Sequence, residues 1–429
     1  MISLSVSRSG PLSGEIRVPG DKSISHRALF LGAIADGKSE ITGFLPCNDC
    51  LATLTCIRTL GIEVGRHDET SLVVHGKGRH GLLPPDAPLN CTRSGTTMRL
   101  LTGTLAGQPF DSVLTGDPQL LRRPMGRVVD PLVHMGARIE TEDGHAPLTV
   151  HGRDLHGITY EMPVASAQVK SAILLAGLYA NSSTTVHQTG PARDHTERML
   201  SAMGAKIATD GCSLTVSHSE LSPLSISIPG DFSSAAFPIV AATIVRGSNI
   251  TLREVGINPT RTGLLAVLSA MGASVAVEGF RNAGNEPVAD LRVQSANLHA
   301  VEIDGDTVVR MIDEFPILAV AATQAEGTTI VRDAAELRVK ETDRIATVAE
   351  ELRKLGARIE PTPDGYVVQG LTPLHGAAVS SHGDHRLAMA LAVAGLVADG
   401  TTQIDDIGCA NDSFPGFAGL MRAIGGQYD

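Results

Sequence analysis

The sequence contains no tryptophan, and its aromatic residues are limited to four tyrosines and nine phenylalanines among 429 residues. Because unpaired bases stack on aromatic side chains, this scarcity argues against a platform for single-stranded nucleic acid. Cysteine is also scarce, and the six cysteines are scattered at positions 47, 50, 56, 91, 212 and 409. In a chain of this length they indicate reduced thiols rather than a disulfide scaffold.

Positive charge is in deficit, since the formal net charge is −11. A net negative charge argues against general attraction to nucleic acid or to an anionic membrane surface. No apolar run approaches the roughly 20 residues of a membrane span, and the start of the chain lacks an apolar signal core. We therefore expect a soluble, cytoplasmic protein whose partners are small molecules and neither nucleic acid nor membrane. As a separate expectation, we take the chain to be a monomer.

Nucleotide and metal motifs are also missing from the sequence. It has neither a GxxxxGK(S/T) loop nor a strand-flanked GxGxxG phrase, which argues against a nucleotide cofactor. Cys47 and Cys50 form a single CxxC without the second pair that a structural zinc site needs. His382 and His385 lack the i, i+4 spacing of a zinc-protease helix. The sequence therefore predicts no cofactor and no metal.

What the chain does contain is an internal repeat. A phrase of the type Met-Gly-Ala recurs roughly every 70 residues, at 60–62, 135–137, 203–205, 271–273, 355–357 and, in a worn form, 424–426. Each copy follows a helix-like stretch and precedes a strand-like one. Residues 345–355 have helical apolar spacing, and Gly356 suits a left-handed helix stop. The pattern predicts an α/β fold of six units, each with two helices between strands.

A second repeated phrase divides the six units into two sets. Val18–Ser23 (VPGDKS) is answered by Ile228–Ser233 (IPGDFS), and both phrases precede an apolar helix. The pattern predicts two similar lobes of three units each, one formed by residues 1–18 with 229–429 and the other by residues 19–228. Chain crossings near residues 19 and 229 would allow a hinge, with the active site in the cleft between the lobes.

Charged and polar residues gather in short phrases at the starts of the apolar helices, at 21–27, 93–99, 122–125, 165–171, 310–316, 338–344 and 383–389. Helix N-termini attract phosphate, although each phrase alone is also typical of an ordinary capped or salt-bridged helix start. Within them we expect Ser23 to be an N-cap. We expect Pro124 to begin a helix with Arg123 at its mouth. We also expect Lys340 and Arg344 to share one helical face.

Taken together, the phrases supply six cations in an acidic protein: Lys22, Arg27, Arg123, Lys340, Arg344 and Arg386. Such a set predicts local anion pockets. Asp313 and Glu341 add acid or base capacity beside them. The residues thus indicate a site that binds phosphorylated, carboxylated substrates and moves protons without a metal.

At these residues the sequence resembles the 5-enolpyruvylshikimate-3-phosphate synthase family over essentially the whole chain. The phrases that match in order are PGDKSISHRA (19–28), RRPM (122–125), ASAQVKSA (165–172), DEFP (313–316), LRVKETDR (337–344) and GDHRLAM (383–389). ASAQVKS and RDHTE (193–197) are similar to the class II branch, which is known for tolerance of the inhibitor glyphosate. The series is highly specific because it spans both predicted lobes.

The resemblance implies an inside-out α/β barrel of two lobes, each with three βαβαββ repeats around a pseudo-threefold axis. It also implies transfer of enolpyruvyl from phosphoenolpyruvate to the 5-hydroxyl of shikimate 3-phosphate, through a tetrahedral intermediate that loses phosphate. This reaction belongs to the shikimate pathway, which leads to chorismate and the aromatic amino acids. The family requires no cofactor.

The resemblance also implies roles for individual residues. Shikimate 3-phosphate would be held by Lys22, Ser23, Arg27, Ser166, Ala167, Gln168, Asp313 and Lys340, with Arg193 as a further substrate-binding residue. Phosphoenolpyruvate would be held by Lys22, Gly95, Arg123, Gln168, Arg344 and Arg386. Asp313, Glu341 and Lys22 would be catalytic. Two positions depart from the family: Arg93 stands where Asn is usual, and Asp412 where many members carry Lys.

Two alternatives remain at this stage. UDP-N-acetylglucosamine enolpyruvyl transferases pair the early Lys with Asn and use a loop cysteine. Here Ser23 follows Lys22, and no cysteine lies between Gly116 and Pro124. A DNA sliding clamp is also acidic and repetitive, but it needs basic inner helices rather than helix starts that carry acids together with cations.

Overall fold

Helices and short strands alternate along the chain in the computed structural model, which describes residues 3–283 and 285–429. The helices in those residues are α1 (Lys22–Ile34), α2 (Asn48–Thr59), α3 (Gly95–Leu105), α4 (Pro118–Leu121), α5 (Gly126–His134), α6 (Ala167–Gly177), α7 (His195–Ala202), α8 (Phe232–Ile244), α9 (Gly263–Ala270), α10 (Gly305–Arg310), α11 (Phe315–Thr323), α12 (Arg344–Lys354), α13 (His385–Gly395) and α14 (Phe417–Ala423). Ala335–Val339 and Ile407–Asp412 are short 3-10 segments.

The strands are mostly short, as expected for repeats of about 70 residues. They are β1 (Leu4–Ser7), β2 (Ser13–Ile16), β3 (Asp36–Thr42), β4 (Glu63–Arg66), β5 (Leu72–Lys77), β6 (Leu89–Asn90), β7 (Asp111–Thr115), β8 (Arg138–Glu142), β9 (His145–His151), β10 (Thr159–Glu161), β11 (Thr184–His187), β12 (Ile207–Asp210), β13 (Ser213–Val216), β14 (Ser225–Ser227), β15 (Asn249–Gly256), β16 (Ser274–Ala283), β17 (Glu286–Gln294), β18 (Leu298–His299), β19 (Glu302–Ile303), β20 (Ala325–Glu326), β21 (Thr328–Val331), β22 (Arg358–Thr362), β23 (Gly365–Gln369), β24 (Ala378–Ser380) and β25 (Thr401–Asp405).

Six sheets in the described residues share one topology. Their strand orders are β14-β3-β5-β4, β6-β7-β9-β8, β10-β11-β13-β12, β2-β15-β17-β16, β19-β21-β23-β22 and β24-β25-β1, and a bridge between Val6 and Tyr428 extends the last sheet. In each sheet the first two strands are parallel. The third strand is antiparallel to the second. The predicted α/β fold of six repeats is therefore confirmed.

By its internal contacts the chain divides into two units. The central unit comprises Gly20–Ile228 and Asn282–Glu286. The terminal unit comprises the chain up to Pro19 together with Pro229–Arg281 and Pro287–Asp429. Each unit has its own continuous apolar core.

The core of the central unit is built around α1, α3 and α6, and that of the terminal unit around α8, α11 and α13. Beyond their first turns, nearly all residues of these helices are buried. Small residues allow this close packing: a Cβ atom at Gly103 of α3 would lie 2.3 Å from the backbone oxygen of Ala172 in α6. The expectation that the Ala- and Gly-rich helices are buried is confirmed.

The repeated glycine ends a helix in every unit. Gly61, Gly136, Gly204, Gly272, Gly356 and Gly425 all have positive φ, between 83° and 103°. A residue without Cβ adopts this left-handed conformation without strain. The predicted helix over 345–355 is observed as α12, and the predicted left-handed stop at Gly356 is confirmed, with φ of 90°.

Within residues 3–283 and 285–429, the structure contains no helix with the length and apolar character needed to cross a membrane.

The repeated glycines generate a stability prediction. We expect Gly356→Ala to lower the free energy of unfolding by at least the roughly 1–2 kcal/mol of a left-handed non-glycine residue, because its Cβ would also lie 2.6 Å from the exposed ring of His375, which must turn away. Gly272 has the same φ of 90°, but a Cβ there would lie 3.5 Å from its nearest atom. Gly272→Ala should therefore lower the free energy of unfolding only by the cost of the strained backbone. Urea unfolding of both variants measures the difference.

Gly419→Ala is the matched control, because Gly419 lies inside α14 and a Cβ there meets nothing within 4 Å. Because alanine has a higher helix propensity than glycine, Gly419→Ala should leave the free energy of unfolding unchanged or raise it by up to about 1 kcal/mol. Equal losses in Gly356→Ala and Gly272→Ala would show that the ring of His375 does not determine the outcome.

Candidate active site

The first candidate group lies at the start of α1 in the central unit. Asp21 is the N-cap, and its carboxylate accepts a hydrogen bond from the backbone N–H of Ile24 at 2.9 Å. The prediction that Ser23 caps this helix is therefore wrong. The helix starts two residues earlier than expected, so Lys22 and Ser23 both lie in its first turn, where both are half-buried.

Lys22 is fixed by a carboxylate that the sequence reasoning did not include. Its ammonium group lies 3.0 Å from the carboxylate of Asp49, in the first turn of α2. Thr97 of α3 donates to the backbone oxygen of Asp49 at 3.4 Å. The starts of three helices thus meet around Asp49, a contact between distant segments that sequence spacing does not reveal.

Arg27 is buried one turn further along α1. Its guanidinium donates to the backbone oxygen of Ser23 at 2.9 Å, to the hydroxyl of Ser171 at 2.7 Å and to that of Thr196 at 2.6 Å. Burial lowers the pKa of Arg27 to about 10, with the charge of Arg193 acting in the same direction. Arg27 therefore remains a cation at neutral pH and joins the turn of Ser23 to α6 and α7.

The starts of α3 and α6 supply the next group. Ser94 caps α3 by accepting from the N–H of Thr97 at 3.2 Å, which makes Gly95 the first helical residue. Ser166 caps α6 in the same way through Val169 at 3.4 Å. The predicted residues Ser166, Ala167 and Gln168 therefore occupy the cap and first turn of α6 rather than its buried interior.

Arg123 lies beside Gly95, since a Cβ at Gly95 would be 3.0 Å from an Nη atom of Arg123. The prediction that Pro124 begins a helix is wrong, because α5 starts at Gly126 with Met125 as its N-cap. The proline at a helix start is instead Pro118 of the short helix α4. Arg123 therefore belongs to the connection between α4 and α5.

In the terminal unit, the buried guanidinium of Arg344 interacts with three carboxylates. Arg344 donates to Asp384 at 2.8 Å and to Glu341 at 2.7 Å, and it lies 3.4 Å from Asp313. Burial disfavours its charge, but Asp384 and Glu341 outweigh that cost and hold the pKa of Arg344 above its ordinary value. Arg344 thus fixes the positions of both predicted acid–base residues.

Asp384 is a second carboxylate that the sequence reasoning missed. It caps α13 by accepting from the backbone N–H of Arg386 at 2.9 Å. Burial opposes its ionisation, yet the charge of Arg344 prevails and lowers the pKa of Asp384. The available signal was the Gly-Asp pair directly before an apolar helix, which is typical of an N-cap.

Asp313 and Glu314 are adjacent in sequence but separate in their contacts. Asp313 is half-buried, 3.4 Å from Arg344 and 3.5 Å from Arg386. Glu314 is buried and accepts a hydrogen bond from Ser233 at the start of α8. Asp313 therefore faces the cations of the site, whereas Glu314 joins α8 to the start of α11.

Lys340 follows the 3-10 segment Ala335–Val339 and has an extended backbone. The prediction that Lys340 and Arg344 share a helical face is wrong, because Asp343 caps α12 and the helix begins only at Arg344. Burial lowers the pKa of Lys340, although the charge of Asp313 opposes the shift. Lys340, which precedes the cap residue Asp343, and Arg344, which follows it, nevertheless both interact with Asp313.

Glu350, Glu351 and His382 form a group with metal-ligand side chains in the described part of the chain. The buried carboxylate of Glu351 accepts from the N–H of Ser380 at 2.9 Å, and it lies 2.7 Å from both His382 and Lys354. The contacts of Glu351 with Ser380 and His382 therefore stabilise the turn that precedes Asp384.

The two positions that depart from the resembled family have ordinary surroundings. Arg93 is exposed, with its Nε 3.9 Å from Asp117. Asp412 is buried at the end of the 3-10 segment Ile407–Asp412.

Comparison with known proteins gives a consistent result. The family model described as EPSP synthase (3-phosphoshikimate 1-carboxyvinyltransferase) matches residues 6–421. The chain is 52% identical over 426 residues to a 3-phosphoshikimate 1-carboxyvinyltransferase of Desulforudis audaxviator, covering 99% of each chain. It is 53% identical over 427 residues to one of Geobacter sulfurreducens, again covering 99% of each. A solved EPSP synthase from Acinetobacter baumannii matches with a TM-score of 0.89 and 44% identity, covering 100% of this chain and 99% of that one.

The contact between Arg344 and Asp384 generates a prediction about stability and pH. We expect Asp384→Asn to lower the free energy of unfolding at pH 7 by about 1–3 kcal/mol, because the variant keeps a cap but removes the charge beside a buried guanidinium. A carboxyl whose pKa is lowered by folding stabilises the folded state above its unfolded pKa and loses that effect as pH falls. The difference should therefore shrink below about pH 4, as measured by urea unfolding at several pH values.

Asp399→Asn, an exposed carboxylate of the same unit, is the control and should change stability little at any pH. A deficit of Asp384→Asn that stays constant from pH 7 to pH 3.5 would contradict the ionic interpretation.

Proposed function

Because the chain belongs to the EPSP synthase family, the 3-phosphoshikimate 1-carboxyvinyltransferases, we propose how its own side chains divide the work of that reaction. The enzyme is a transferase of the shikimate pathway. It moves the enolpyruvyl group of phosphoenolpyruvate to the 5-hydroxyl of shikimate 3-phosphate and releases phosphate.

The reaction sets three tasks for the protein. The substrate hydroxyl loses its proton as its oxygen bonds to C2 of phosphoenolpyruvate, while C3 gains a proton. In the resulting tetrahedral adduct the C2–O bond to phosphate breaks and phosphate leaves with that electron pair, while the C3 methyl loses a proton and its C–H electrons restore the C2–C3 double bond. The site must therefore hold two polyanions, accept and deliver a proton, and stabilise the departing phosphate.

The central unit supplies donors for the anions. Shikimate 3-phosphate is assigned to Lys22, Ser23, Arg27, Ser166, Ala167, Gln168 and Arg193, together with Asp313 and Lys340. Phosphoenolpyruvate is assigned to Lys22, Gly95, Arg123, Gln168, Arg344 and Arg386. The positions of Lys22, Ser23, Gly95 and Ser166–Gln168 at the starts of α1, α3 and α6 support the assignment, because the N–H groups and dipole of a helix start favour negative charge.

Proton transfer is assigned to the terminal unit, with Asp313 as the base for the 5-hydroxyl and Glu341 as its acidic partner, while Lys22 stabilises charge. One observation carries this assignment: Asp313 lies 3.4 Å from Arg344 and 3.5 Å from Arg386. Two guanidiniums favour the carboxylate form, which is the form that accepts a proton. The same cations are suited to the carboxylate and phosphate of phosphoenolpyruvate.

We propose further that the central and terminal units are the two lobes of the enzyme, divided near residues 19 and 229, and that both act on one pair of substrates. The division of chemistry supports this, since the predicted proton-transfer carboxylates and most of the anion donors are on different units. Closure of the lobes over the substrates would exclude water from the reacting atoms. We propose that the enzyme acts as a monomer, because a single chain carries every assigned group, and that it is located in the cytoplasm.

The assignment of Asp313 generates a kinetic prediction. We expect Asp313→Asn to lower kcat by about 10²-fold or more, because the amide accepts no proton. The KM for phosphoenolpyruvate should change much less. A coupled assay of phosphate release from phosphoenolpyruvate, dependent on shikimate 3-phosphate, measures both constants and also tests the activity itself.

Asp306→Asn is the matched control, because Asp306 is an exposed carboxylate of α10 in the same unit. It should retain the kcat of the parent enzyme. If Asp313→Asn also kept that rate, Asp313 would be removed from the proton route.

The family's inhibitor glyphosate, which competes with phosphoenolpyruvate, provides a prediction at Gly95. A methyl group at Gly95 would lie 2.8 Å from Arg99 and 3.0 Å from Arg123. We expect Gly95→Ala to raise the inhibition constant of glyphosate by roughly 10–200-fold, the range for one methyl in a tight pocket, and to raise the KM for phosphoenolpyruvate much less. Proportional changes in both constants would show that this position does not discriminate between inhibitor and substrate.

A further inference from the structure

We propose that Arg99, a residue with no assigned role, is a positioning residue that fixes the orientation of the Gln168 amide for phosphoenolpyruvate. The inference rests on the proposed function, in which Gln168 is a ligand of that substrate. Arg99 lies on α3, one turn after Gly95, and it is half-buried.

The contact between the two side chains is short and directional. A guanidinium Nη1–H of Arg99 donates to Oε1 of Gln168 at 2.6 Å. The other guanidinium nitrogen, Nη2, lies 3.4 Å from the backbone oxygen of Pro124, the residue after Arg123. Arg99 therefore links the first turn of α6 to the segment that carries another proposed ligand.

The opposite end of the amide is held as well. Nε2 of Gln168 donates to the hydroxyl of Thr96 at 2.8 Å. An amide has one accepting oxygen and one nitrogen with two N–H groups. With the oxygen held by a cation and one N–H by a hydroxyl, the second N–H is the group that the amide offers to an anionic ligand.

Orientation matters because the two ends of the amide act oppositely on an anion. In the held orientation the amide presents a donor to a carboxylate or phosphate oxygen. A flipped amide would present its oxygen, which repels an anion, and would direct its NH2 group at the guanidinium of Arg99, which has no acceptor. Arg99 thus selects the orientation that binds phosphoenolpyruvate.

Gly95 provides a second, independent observation. A Cβ at Gly95 would lie 2.8 Å from Nη1 of Arg99, the same nitrogen that donates to Gln168. The missing side chain at position 95 therefore provides the room in which Arg99 reaches the amide. A methyl group there would crowd Nη1 of Arg99, so the three residues form one coupled set.

The test compares Arg99→Met and Arg99→Lys with the parent enzyme in the phosphate-release assay. We expect Arg99→Met to raise the KM for phosphoenolpyruvate about tenfold or more, the size of a lost hydrogen bond to a charged group. The KM for shikimate 3-phosphate, to which Gln168 is also assigned, should rise less than that for phosphoenolpyruvate, and kcat should change less than the KM for phosphoenolpyruvate, a split that a merely structural role would not produce. Arg99→Lys should recover part of the loss because it keeps the charge.

Double-mutant cycles test whether the effect passes through Gln168. In a Gln168→Ala background, Arg99→Met should add little to the KM for phosphoenolpyruvate, and in an Arg99→Met background Gly95→Ala should have a smaller effect than in the parent. Arg58→Met is the control, since Arg58 on α2 donates to a backbone oxygen at 2.9 Å and has no proposed role. It should leave all three kinetic constants unchanged.

Additive effects in the cycle with Gln168, or equal increases in the KM of both substrates, would overturn the role of Arg99. A different result would overturn the proposed function instead: if Gln168→Ala alone left the KM for phosphoenolpyruvate unchanged, Gln168 would not be a ligand of that substrate. Circular dichroism and urea unfolding of each variant report whether it is folded, which separates both outcomes from loss of structure.

Discussion

Close packing of helices rich in alanine and glycine is the constraint on which both units depend. At Gly103 the backbone of α3 approaches α6 so closely that a methyl group would meet the oxygen of Ala172 at 2.3 Å. Such helices have almost no exposed side on which to carry charge. Their first turns remain, where unpaired backbone N–H groups need polar partners in any case. The candidate site is therefore built from helix starts because the core leaves few other positions for it.

The two buried arginines show how differently the units solve the problem of a buried charge. Arg27 is surrounded mainly by hydroxyl and carbonyl oxygens, and burial lowers its pKa. Arg344 is surrounded by carboxylates, and its pKa is raised. A guanidinium of the first kind gains from an added anion, whereas one of the second kind holds carboxylates in place. Arg27 is therefore suited to bind an added anion, whereas Arg344 positions the proposed proton-transfer carboxylates in addition to its assignment to phosphoenolpyruvate.

The sequence predicted what is local and repeated, and it failed where distant segments meet. The six units, the buried helices and the left-handed stop at Gly356 follow from periodicity and from backbone sterics, which act over a few residues. The contacts of Lys22 with Asp49 and of Arg344 with Asp384 join residues 27 and 40 positions apart. Helical spacing rules relate residues three or four positions apart, so they do not predict these contacts. The choice of Asp21 over Ser23 as the cap was local, but both residues are good caps, and propensity alone does not decide between them.

The wrong prediction at Lys340 is the most informative of these failures. On one helical face, Lys340 and Arg344 would stand one turn apart as two like charges, which is unfavourable. The chain instead stays extended at Lys340 and begins α12 at Arg344, after the cap at Asp343. Glu341 thereby comes within 2.7 Å of Arg344, and Lys340 interacts with Asp313 from a separate direction. In the observed arrangement one carboxylate, Asp313, interacts with Lys340 and Arg344 from either side of this cap and also with Arg386 of α13.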